Sequence, residues 1–170
     1  MTFHSQAAQD PGVLLLTPAK DVADPVVTIL VPTLNEERTV GQFMDWCIEG
    51  VAKSGLAVEI LIADSSTDKT PEIALAKGAR VVQMPKRGLG RAYIDAIPFV
   101  RGRFIIMGDA DCTYDFRHIR PFYDVYAAGA EFVMGSRFKG KIDDDAMPPL
   151  HRYFGTPVTT FILNFMFGSR

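Results

Sequence analysis

Continuous apolar runs alternate along the chain with stretches in which apolar residues recur at helical spacing. Residues 26–31 form a β-branched run, which is typical of a strand buried on both faces. Apolar positions then recur every three or four residues, which predicts a helix from Val40 to about Gly55. The same alternation predicts further strands at 58–63, 79–84, 104–107 and 131–134, and helices that begin near Pro71, Leu89 and Ile119.

Strands and helices that alternate at these lengths predict an α/β fold with a mainly parallel sheet flanked by helices. Pro98 is expected to shorten or kink the helix that begins near Leu89. Ligands of such sheets bind beyond the carboxyl ends of the strands. The residues directly after each strand are therefore the first candidates for ligand binding or catalysis.

Proline and glycine breaks, together with the limits of the alternating pattern, predict that the chain has three parts. Residues 1–24 contain Pro and Gly breaks and no basic region ahead of their short apolar run, so they predict a loosely ordered leader rather than a signal peptide. Residues 25–150 carry the alternating pattern and are expected to form the ligand-binding domain. Residues 151–170 are expected to be a separate final segment, whose uncharged stretch is shorter than the roughly 20 apolar residues that cross a bilayer.

Composition narrows the class of protein. Hydrophobic residues make up 48% and charged residues 22% of the chain, which is typical of a globular protein. The net charge of −2 argues against a nucleic-acid partner, since such proteins carry a basic face. Cys47 and Cys112 form no C-x-x-C pair, which argues against a disulfide framework and predicts a reducing, cytoplasmic setting.

Polar loops directly follow four of the predicted strands. Their side chains and glycines are of the types that bind anionic or polar ligands. The residues of interest are Pro32, Thr33, Asn35, Glu36 and Glu37 in the first loop, Asp64, Ser66, Asp68 and Thr70 in the second, Lys86, Gly88, Gly90 and Arg91 in the third, and Asp109, Ala110 and Asp111 in the fourth. Because all four loops are expected at one edge of the sheet, together they predict a ligand-binding rim.

Asp109 and Asp111 stand one residue apart, just after a predicted buried strand. Two carboxylates so placed present oxygen ligands to Mg²⁺ or Mn²⁺, which completes its coordination shell with water and substrate phosphate. The alternative is that both are turn or capping residues, where Asp is common. Their place beside the other polar loops favours the metal site.

The first two loops suggest contacts with a nucleotide. Asp64 can accept a hydrogen bond from a base N–H group. Asp68 and Thr70 can instead satisfy the free N–H groups at the start of the following helix. Glu36 and Glu37 favour another predicted helix start through the helix dipole, and one of the two can do only that.

Glycines and basic side chains after the third strand favour a phosphate. Gly88 and Gly90 let backbone N–H groups approach a phosphate at a helix start. They do not form a dinucleotide fingerprint, because Tyr93 stands at the position of its third glycine. After the fifth predicted strand, Arg137 can pair with a phosphate through two hydrogen bonds or can be an ordinary surface arginine.

Taken in order, the segments 32–37, 64–70, 88–92 and 108–111 resemble those of family-2 glycosyltransferases. The closer resemblance is to the polyprenyl-phosphate type, the dolichyl-phosphate mannose or glucose synthases, and it extends over about residues 26–137. The resemblance implies a Rossmann-like nucleotide-diphospho-sugar transferase (GT-A) fold. It also implies a UDP- or GDP-linked sugar as donor and Mg²⁺ or Mn²⁺ as cofactor.

The resemblance further implies roles for individual residues. Asp109 and Asp111, as the DXD motif, are implied to hold the ribose and the divalent metal on the diphosphate, with Asp111 the more direct metal ligand. Asp64 is implied to read the base, and Arg137 to counter the pyrophosphate charge. The implied nucleotide-sugar-binding residues are Pro32, Thr33, Asn35, Glu36, Asp64, Ser66, Lys86, Gly90, Asp109, Ala110 and Arg137.

The implied reaction displaces a nucleoside diphosphate from the anomeric carbon of the sugar. A polyprenyl phosphate acceptor is already an anion, so this reaction requires no protein base, whereas a hydroxyl acceptor requires one. Family members continue past the position of residue 170 into an acceptor-side region, which is therefore expected to be missing here. Residues 153–167 resemble the amphipathic helix that lies on the cytoplasmic membrane face near the lipid acceptor; the alternative is an ordinary docking helix.

Three hypotheses follow. The first is an active glycosyltransferase, with formation of a homo-oligomer as a way to complete its site. The second is a truncated module that binds nucleotide sugar and metal without turnover. The third is a structural domain in which the acidic loops are only caps, and metal-dependent binding of a nucleoside diphosphate separates it from the other two.

Overall fold

The computed structural model describes residue 10, residues 12–135 and residues 150–168. The chain divides into two compact units, Met1–Glu131 and Phe132–Arg170. In the described part of the first unit, strands and helices alternate after an initial short strand. In chain order they are β1 (Leu14–Leu16), β2 (Val27–Thr33), α1 (Val40–Ser54), β3 (Val58–Asp64), α2 (Thr70–Ala76), β4 (Arg80–Gln83), α3 (Leu89–Ala96), β5 (Phe104–Met107) and α4 (Arg120–Ala127).

The strands form one sheet in the order β1-β4-β3-β2-β5. Strands β4, β3, β2 and β5 are parallel, and β1 is antiparallel to β4. The predicted α/β fold with a mainly parallel sheet is therefore confirmed. The chain moves outward from β2 through β3 to β4 and then returns to the other side of β2 to form β5. This reversal creates a topological switch point between β2 and β5, where such sheets bind ligands.

Both faces of the sheet are covered, which explains the continuous apolar runs of its central strands. On β2, Ile29 and Val31 belong to the core that contains Phe43 of α1. Leu30, between them, points to the other face and belongs to a second core with Ala96 of α3. Alternate residues of β2 therefore pack against helices on opposite faces of the sheet.

Two helix ends lie where glycine and proline predict them. Gly55 follows α1 in the left-handed conformation with φ 67°, which glycine adopts without strain. Helix α3 ends at Ala96, and Pro98 lies in the 3₁₀ turn Ile97–Phe99 that follows. The predicted shortening at Pro98 is thus confirmed.

The prediction of a loosely ordered leader is wrong for Leu14–Leu16. These residues form β1, which pairs with Val81, Val82 and Gln83 along the outer edge of β4. A run of three apolar residues is too short to show a strand period, so the sequence pattern does not distinguish it from a loop.

The strand predicted at residues 131–134 is also wrong, because the structure has no strand there. Phe132 and Met134 are each 79% exposed. The chain leaves α4 through Gly129, whose φ of 103° turns it out of the helix. A short apolar segment becomes a strand only where a neighbour supplies hydrogen bonds, and sequence period does not report that neighbour.

Residues 150–167 of the second unit are helical. A π-helical turn at His151–Gly155 leads into α5 (Thr156–Phe167). The helix predicted at residues 153–167 is therefore present, but its polar side is narrow: Thr156, Thr160 and Asn164 lie four residues apart, and no charged residue occurs between 153 and 168. Within the described ranges, no helix has both the length and the apolarity to span a bilayer.

Candidate functional site

A buried carboxylate ties the loop after β2 to the loop after β3. Thr33 and Asp64 are register partners at the ends of these strands. The Thr33 hydroxyl donates to Asp64 Oδ1 at 2.7 Å, and the Ser66 N–H donates to Asp64 Oδ2 at 3.2 Å. Asp64 is only 1% exposed. Its carboxylate therefore holds the two loops together, and the predicted contact with a base stays a prediction.

Asn35 continues this connection one step further from the sheet. Its φ of 58° lies in the left-handed region, which asparagine tolerates better than most residues. The Asn35 N–H donates to Ser66 Oγ at 2.8 Å, and Asn35 Oδ1 accepts from the Thr67 N–H at 2.9 Å. The backbone and the side chain of Asn35 thus both bind the opposite loop.

The last connections join the starts of α1 and α2. The Glu36 N–H donates to Thr70 Oγ1 at 2.9 Å, and the Glu37 N–H donates to Asp68 Oδ2 at 3.2 Å. Asp68 also accepts from the Thr70 N–H, so the reading of Asp68 as a residue that satisfies the helix start agrees with its contacts. Burial raises the pKa of Asp68, but hydrogen bonds from Thr70 and nearby backbone outweigh it and lower that pKa overall. We call the hydrogen bonds between residues 33–37 and 64–70 the loop ladder.

The loop that follows β5, residues 108–115, is here called the acidic loop. It begins at Gly108, where an added Cβ would lie 2.6 Å from Cζ of Phe116. The Phe116 ring meets Phe43 of α1 edge-on, with centroids 5.1 Å apart. An added Cβ on Gly50 of α1 would lie 2.1 Å from the Phe116 carbonyl oxygen. Two close approaches that only glycine permits therefore anchor the acidic loop on α1.

Cys112 places the acidic loop next to the loop ladder. Its thiol donates to the Thr39 carbonyl oxygen at 3.8 Å, three residues after Glu36. Burial, and then the carboxylates of Asp111 and Glu36, raise the pKa of Cys112 above its ordinary value. The thiol is therefore protonated near neutral pH, which disfavours a role as a nucleophile.

Asp109 and Asp111 flank a residue that points inward. Ala110 is 2% exposed, while Asp109 is half-buried and Asp111 is exposed. Asp111 Oδ1 accepts from the Thr113 N–H at 2.9 Å, which shapes the turn. In the described part of the chain no three His, Cys, Asp or Glu side chains gather to hold a metal by themselves. Two carboxylates fit a hard divalent cation that takes its remaining ligands from water and substrate phosphate.

The turn before α3 is open at the same edge of the sheet. Gly88 has a φ of 96°, a conformation that side chains rarely adopt. A Cβ on Gly90 would meet nothing within 4 Å, so the start of the helix is accessible. Lys86 is exposed beside it.

The arginines of this segment already have protein partners. Arg91 Nε lies 2.8 Å from Asp95 Oδ1, and Arg87 lies 3.6 Å from the same carboxylate. Arg87 also contacts Asp10 Oδ2 at 2.7 Å. Hydrogen bonding to Asp10 raises the pKa of Arg87, so a phosphate at this position has to compete with a carboxylate.

Tyr93 was not singled out as a functional residue from the sequence. Its hydroxyl donates to the Gly108 carbonyl oxygen at 3.1 Å, at the start of the acidic loop. Burial and, second, the charge of Asp109 raise the pKa of Tyr93 to about 12. The sequence did contain one indication of this contact. Tyr93 occupies an apolar position of the predicted helix, and a buried tyrosine hydroxyl usually forms a hydrogen bond.

A cavity of about 290 Å³ lies elsewhere, at the amino ends of β3 and β4. Its lining includes Glu59, Arg80 and Asp21. Glu59 accepts from Arg80 at 2.8 Å, and Asp21 accepts from Arg101 at 2.7 Å. These charged groups are paired with one another rather than directed at a ligand.

The loops that follow β2, β3, β4 and β5 leave the same edge of the sheet, because these four strands are parallel. This placement confirms that the four loops share one edge, and ligand binding at that edge stays a prediction. Pro32 lies there too, in register with Ala63 of β3. Arg137 lies outside the described residues, and the binding roles of the rim residues remain predictions.

Polar loops at the carboxyl edge of a parallel sheet, beside its topological switch point, lie where α/β domains of this type bind ligands. The family model described as Glycosyl transferase family 2 matches residues 28–169. The chain belongs to this family.

Two curated relatives come from Haloferax volcanii. The low-salt glycan biosynthesis hexosyltransferase Agl6 is 43% identical over 157 residues, which are 92% of this chain and 38% of the relative. A dolichyl-phosphate hexose transferase is 30% identical over 147 residues, which are 84% of this chain and 60% of the relative. The chain thus spans less than two thirds of the length of either protein.

A solved structure also shares the fold. The glucosyl-3-phosphoglycerate synthase of Mycobacterium tuberculosis, in complex with uridine diphosphate, superposes with a TM-score of 0.50 and 26% identity. The superposition covers 63% of this chain and 41% of that one.

Proposed function

We propose that the chain forms the donor-binding part of a metal-dependent glycosyltransferase that moves a hexose from a UDP- or GDP-linked sugar to a polyprenyl phosphate. The observation that carries the proposal is the placement of the acidic loop beside the loop ladder at the switch point of the sheet. Membership in the family and the names of the two Haloferax relatives support the sugar-transfer chemistry.

Asp109 and Asp111 would hold a divalent cation, Mg²⁺ or Mn²⁺. When bound, the cation neutralises charge on the leaving diphosphate. The exposed carboxylate of Asp111 and the half-buried one of Asp109 leave space for phosphate oxygens, since only one protein donor, the Thr113 N–H, contacts Asp111 in the described chain. The loop, anchored at Gly108, keeps both carboxylates in place before the ligand arrives.

The loop ladder would form the nucleoside side of the site. Thr33, Asn35 and Glu36 are fixed by hydrogen bonds to residues 64–70, and Pro32 lies in the strand register beside Ala63. These residues therefore offer backbone and side-chain groups without further ordering. On the opposite side of β3, Lys86 and the open helix start at Gly90 would receive phosphate.

The polyprenyl phosphate acceptor is supported by the name of the dolichyl-phosphate relative. A phosphate oxygen attacks the anomeric carbon as an anion, so no side chain has to remove a proton. The uncharged helix α5, with Phe161 72% and Phe165 82% exposed, suits contact with the apolar side of a membrane surface. On this ground we propose that the protein works at the cytoplasmic membrane face.

The first experiment is a calorimetric titration of UDP and GDP with and without Mn²⁺, on the parent chain and on Asp111→Asn. We expect Mn²⁺ to strengthen binding of one nucleotide, and Asp111→Asn to weaken the Mn²⁺-dependent binding by more than about 1.4 kcal/mol, a factor of ten. Asp124→Asn, which alters an exposed carboxylate on α4 that pairs with Arg120, serves as the matched control.

Binding that ignores Mn²⁺, or equal affinity in Asp111→Asn and the parent, contradicts the proposed metal site. Transfer of labelled hexose to a polyprenyl phosphate in detergent then tests turnover. Metal-dependent binding without transfer favours the alternative, a nucleotide-sugar-binding module that needs a further region for catalysis.

A further inference from the structure

Tyr93 connects α3 to the acidic loop by a single hydrogen bond. Its hydroxyl lies 3.1 Å from the Gly108 carbonyl oxygen. The last register pair of β5 with β2 is Met107 with Leu30, so Gly108 lies just beyond the sheet ladder. The tyrosine therefore satisfies a carbonyl that the sheet leaves unpaired at the start of the loop.

Gly108 is held from both faces of the sheet. Phe116, which belongs to the core on the α1 side, leaves no space for a side chain at Gly108. Tyr93 packs against the second core, on the α3 side. The Phe116 contact is steric and fixes the distance, whereas the Tyr93 hydrogen bond is directional and fixes the orientation of the peptide that precedes Asp109.

The same tyrosine belongs to the helix that begins at the proposed phosphate position. Tyr93 lies one turn after Leu89, the first residue of α3, and Gly90 is three residues before it. The Tyr93 side chain therefore connects this helix directly to the first peptide of the acidic loop.

We propose that Tyr93 is a positioning residue that orients the acidic loop so that metal binding at Asp109 and Asp111 strengthens nucleotide binding. This inference rests on the proposed function, because it concerns the same site. The hydroxyl fixes the first peptide of the acidic loop, so the two carboxylates that follow meet the cation and the nucleotide diphosphate in one orientation. Linkage makes this coupling reciprocal: the metal strengthens nucleotide binding by the same factor as the nucleotide strengthens metal binding.

The protonation state of Tyr93 is consistent with this role. Burial and the charge of Asp109 raise its pKa to about 12, so the hydroxyl remains a donor throughout the pH range in which sugar nucleotides are assayed. The contribution of Tyr93 to the coupling is therefore expected not to change between about pH 6 and 9.

The test is Tyr93→Phe, which removes the hydroxyl and keeps the ring. Affinity for UDP and for GDP is measured by calorimetry with and without Mn²⁺, and the ratio of the two affinities for the tighter-binding nucleotide gives the coupling. We expect this ratio to fall roughly two- to tenfold, the range for loss of one hydrogen bond, while metal-free affinity stays within about twofold. The matched control is Tyr123→Phe, because the Tyr123 ring packs edge-on against Phe104 and its hydroxyl makes no hydrogen bond within the described residues.

A fall in Tm without a change in the coupling ratio would show that Tyr93 has only a structural role and would overturn the inference. An equal fall of the ratio in Tyr123→Phe would overturn it as well. If the parent chain shows no Mn²⁺-dependent nucleotide binding, the proposed function fails and this inference fails with it. If the parent binds nucleotide more tightly with Mn²⁺ and Tyr93→Phe keeps the same ratio, this inference is refuted while the proposed function stands.

Discussion

Replacement of Gly50 by alanine tests how the acidic loop is anchored. Gly50 lies inside α1, where the backbone carbonyl of Phe116 approaches it so closely that an added Cβ would lie 2.1 Å from the oxygen and 3.1 Å from Cα of Arg117. Both atoms belong to the backbone of the 3₁₀ turn Phe116–His118 that ends the acidic loop. The substitution therefore has to move this turn or bend the helix.

The magnitude follows from two opposing effects. Alanine favours a helix interior over glycine by up to about 1 kcal/mol. Overpacking against a well-packed neighbour costs about 1–3 kcal/mol, and the 2.1 Å approach to backbone belongs at the upper end of this range. We expect Gly50→Ala to lower the free energy of unfolding by about 1–2 kcal/mol. Gly41→Ala in the same helix, where the nearest atoms lie 3.8 Å away, is expected to leave stability unchanged or raise it.

Urea unfolding of the two variants beside the parent measures the difference. The expected result is a lower midpoint for Gly50→Ala alone, accompanied by weaker Mn²⁺-dependent nucleotide binding in the native state. A Gly50→Ala protein as stable as Gly41→Ala would refute the close packing of α1 on the turn. Unchanged metal-dependent binding in a destabilised Gly50→Ala would refute the link between this packing and the acidic loop.

Two further variants test buried carboxylates. Glu59→Gln is expected to lower the free energy of unfolding by about 2–4 kcal/mol, because Glu59 is 2% exposed and accepts from Arg80, Arg101 and Thr28. These hydrogen bonds outweigh burial and hold the pKa of Glu59 below 4.5, so its stabilising effect is present above that pH and is lost as the pH falls through the lower folded pKa. Denaturation of the parent from pH 7 to 3 should show this loss, and Glu59→Gln should show a flatter profile. Asp64→Asn is expected to weaken UDP and GDP binding by the same factor, because Asp64 ties two loops together; a changed preference between the two nucleotides in calorimetry would mean that it reads the base.

The central elements of the fold were predictable because their burial leaves a recognisable pattern of apolar residues in the sequence. Strands β2 and β3 are buried on both faces and read as continuous apolar runs, and α1 shows its buried positions at helical spacing. The prediction failed at Leu14–Leu16 and at residues 131–134. In such short segments the pattern is the same whether or not a neighbouring strand pairs with them, so only tertiary structure decides.

The common edge of the candidate site residues was predictable from topology, but the contacts among them were not. Parallel strands bring their following loops to one edge, so residues such as Asp64 and Asp111 could be assigned to a common rim. The pattern did not show that Asp64 is 1% exposed with both oxygens accepting hydrogen bonds. It also did not show that Tyr93 reaches Gly108, because that contact joins a helix to a strand end across the sheet.

The proposed metal site is tested most directly by a crystal of the protein soaked with Mn²⁺ and the nucleoside diphosphate that binds more tightly, with the metal located by anomalous diffraction. We expect one manganese peak within coordination distance of a carboxylate oxygen of Asp111 and in contact with diphosphate oxygens. The nucleoside should lie against the loop ladder at the carboxyl edge of β2 and β3. A diphosphate bound at another edge of the sheet, or a manganese ion away from both Asp109 and Asp111, would contradict the proposal.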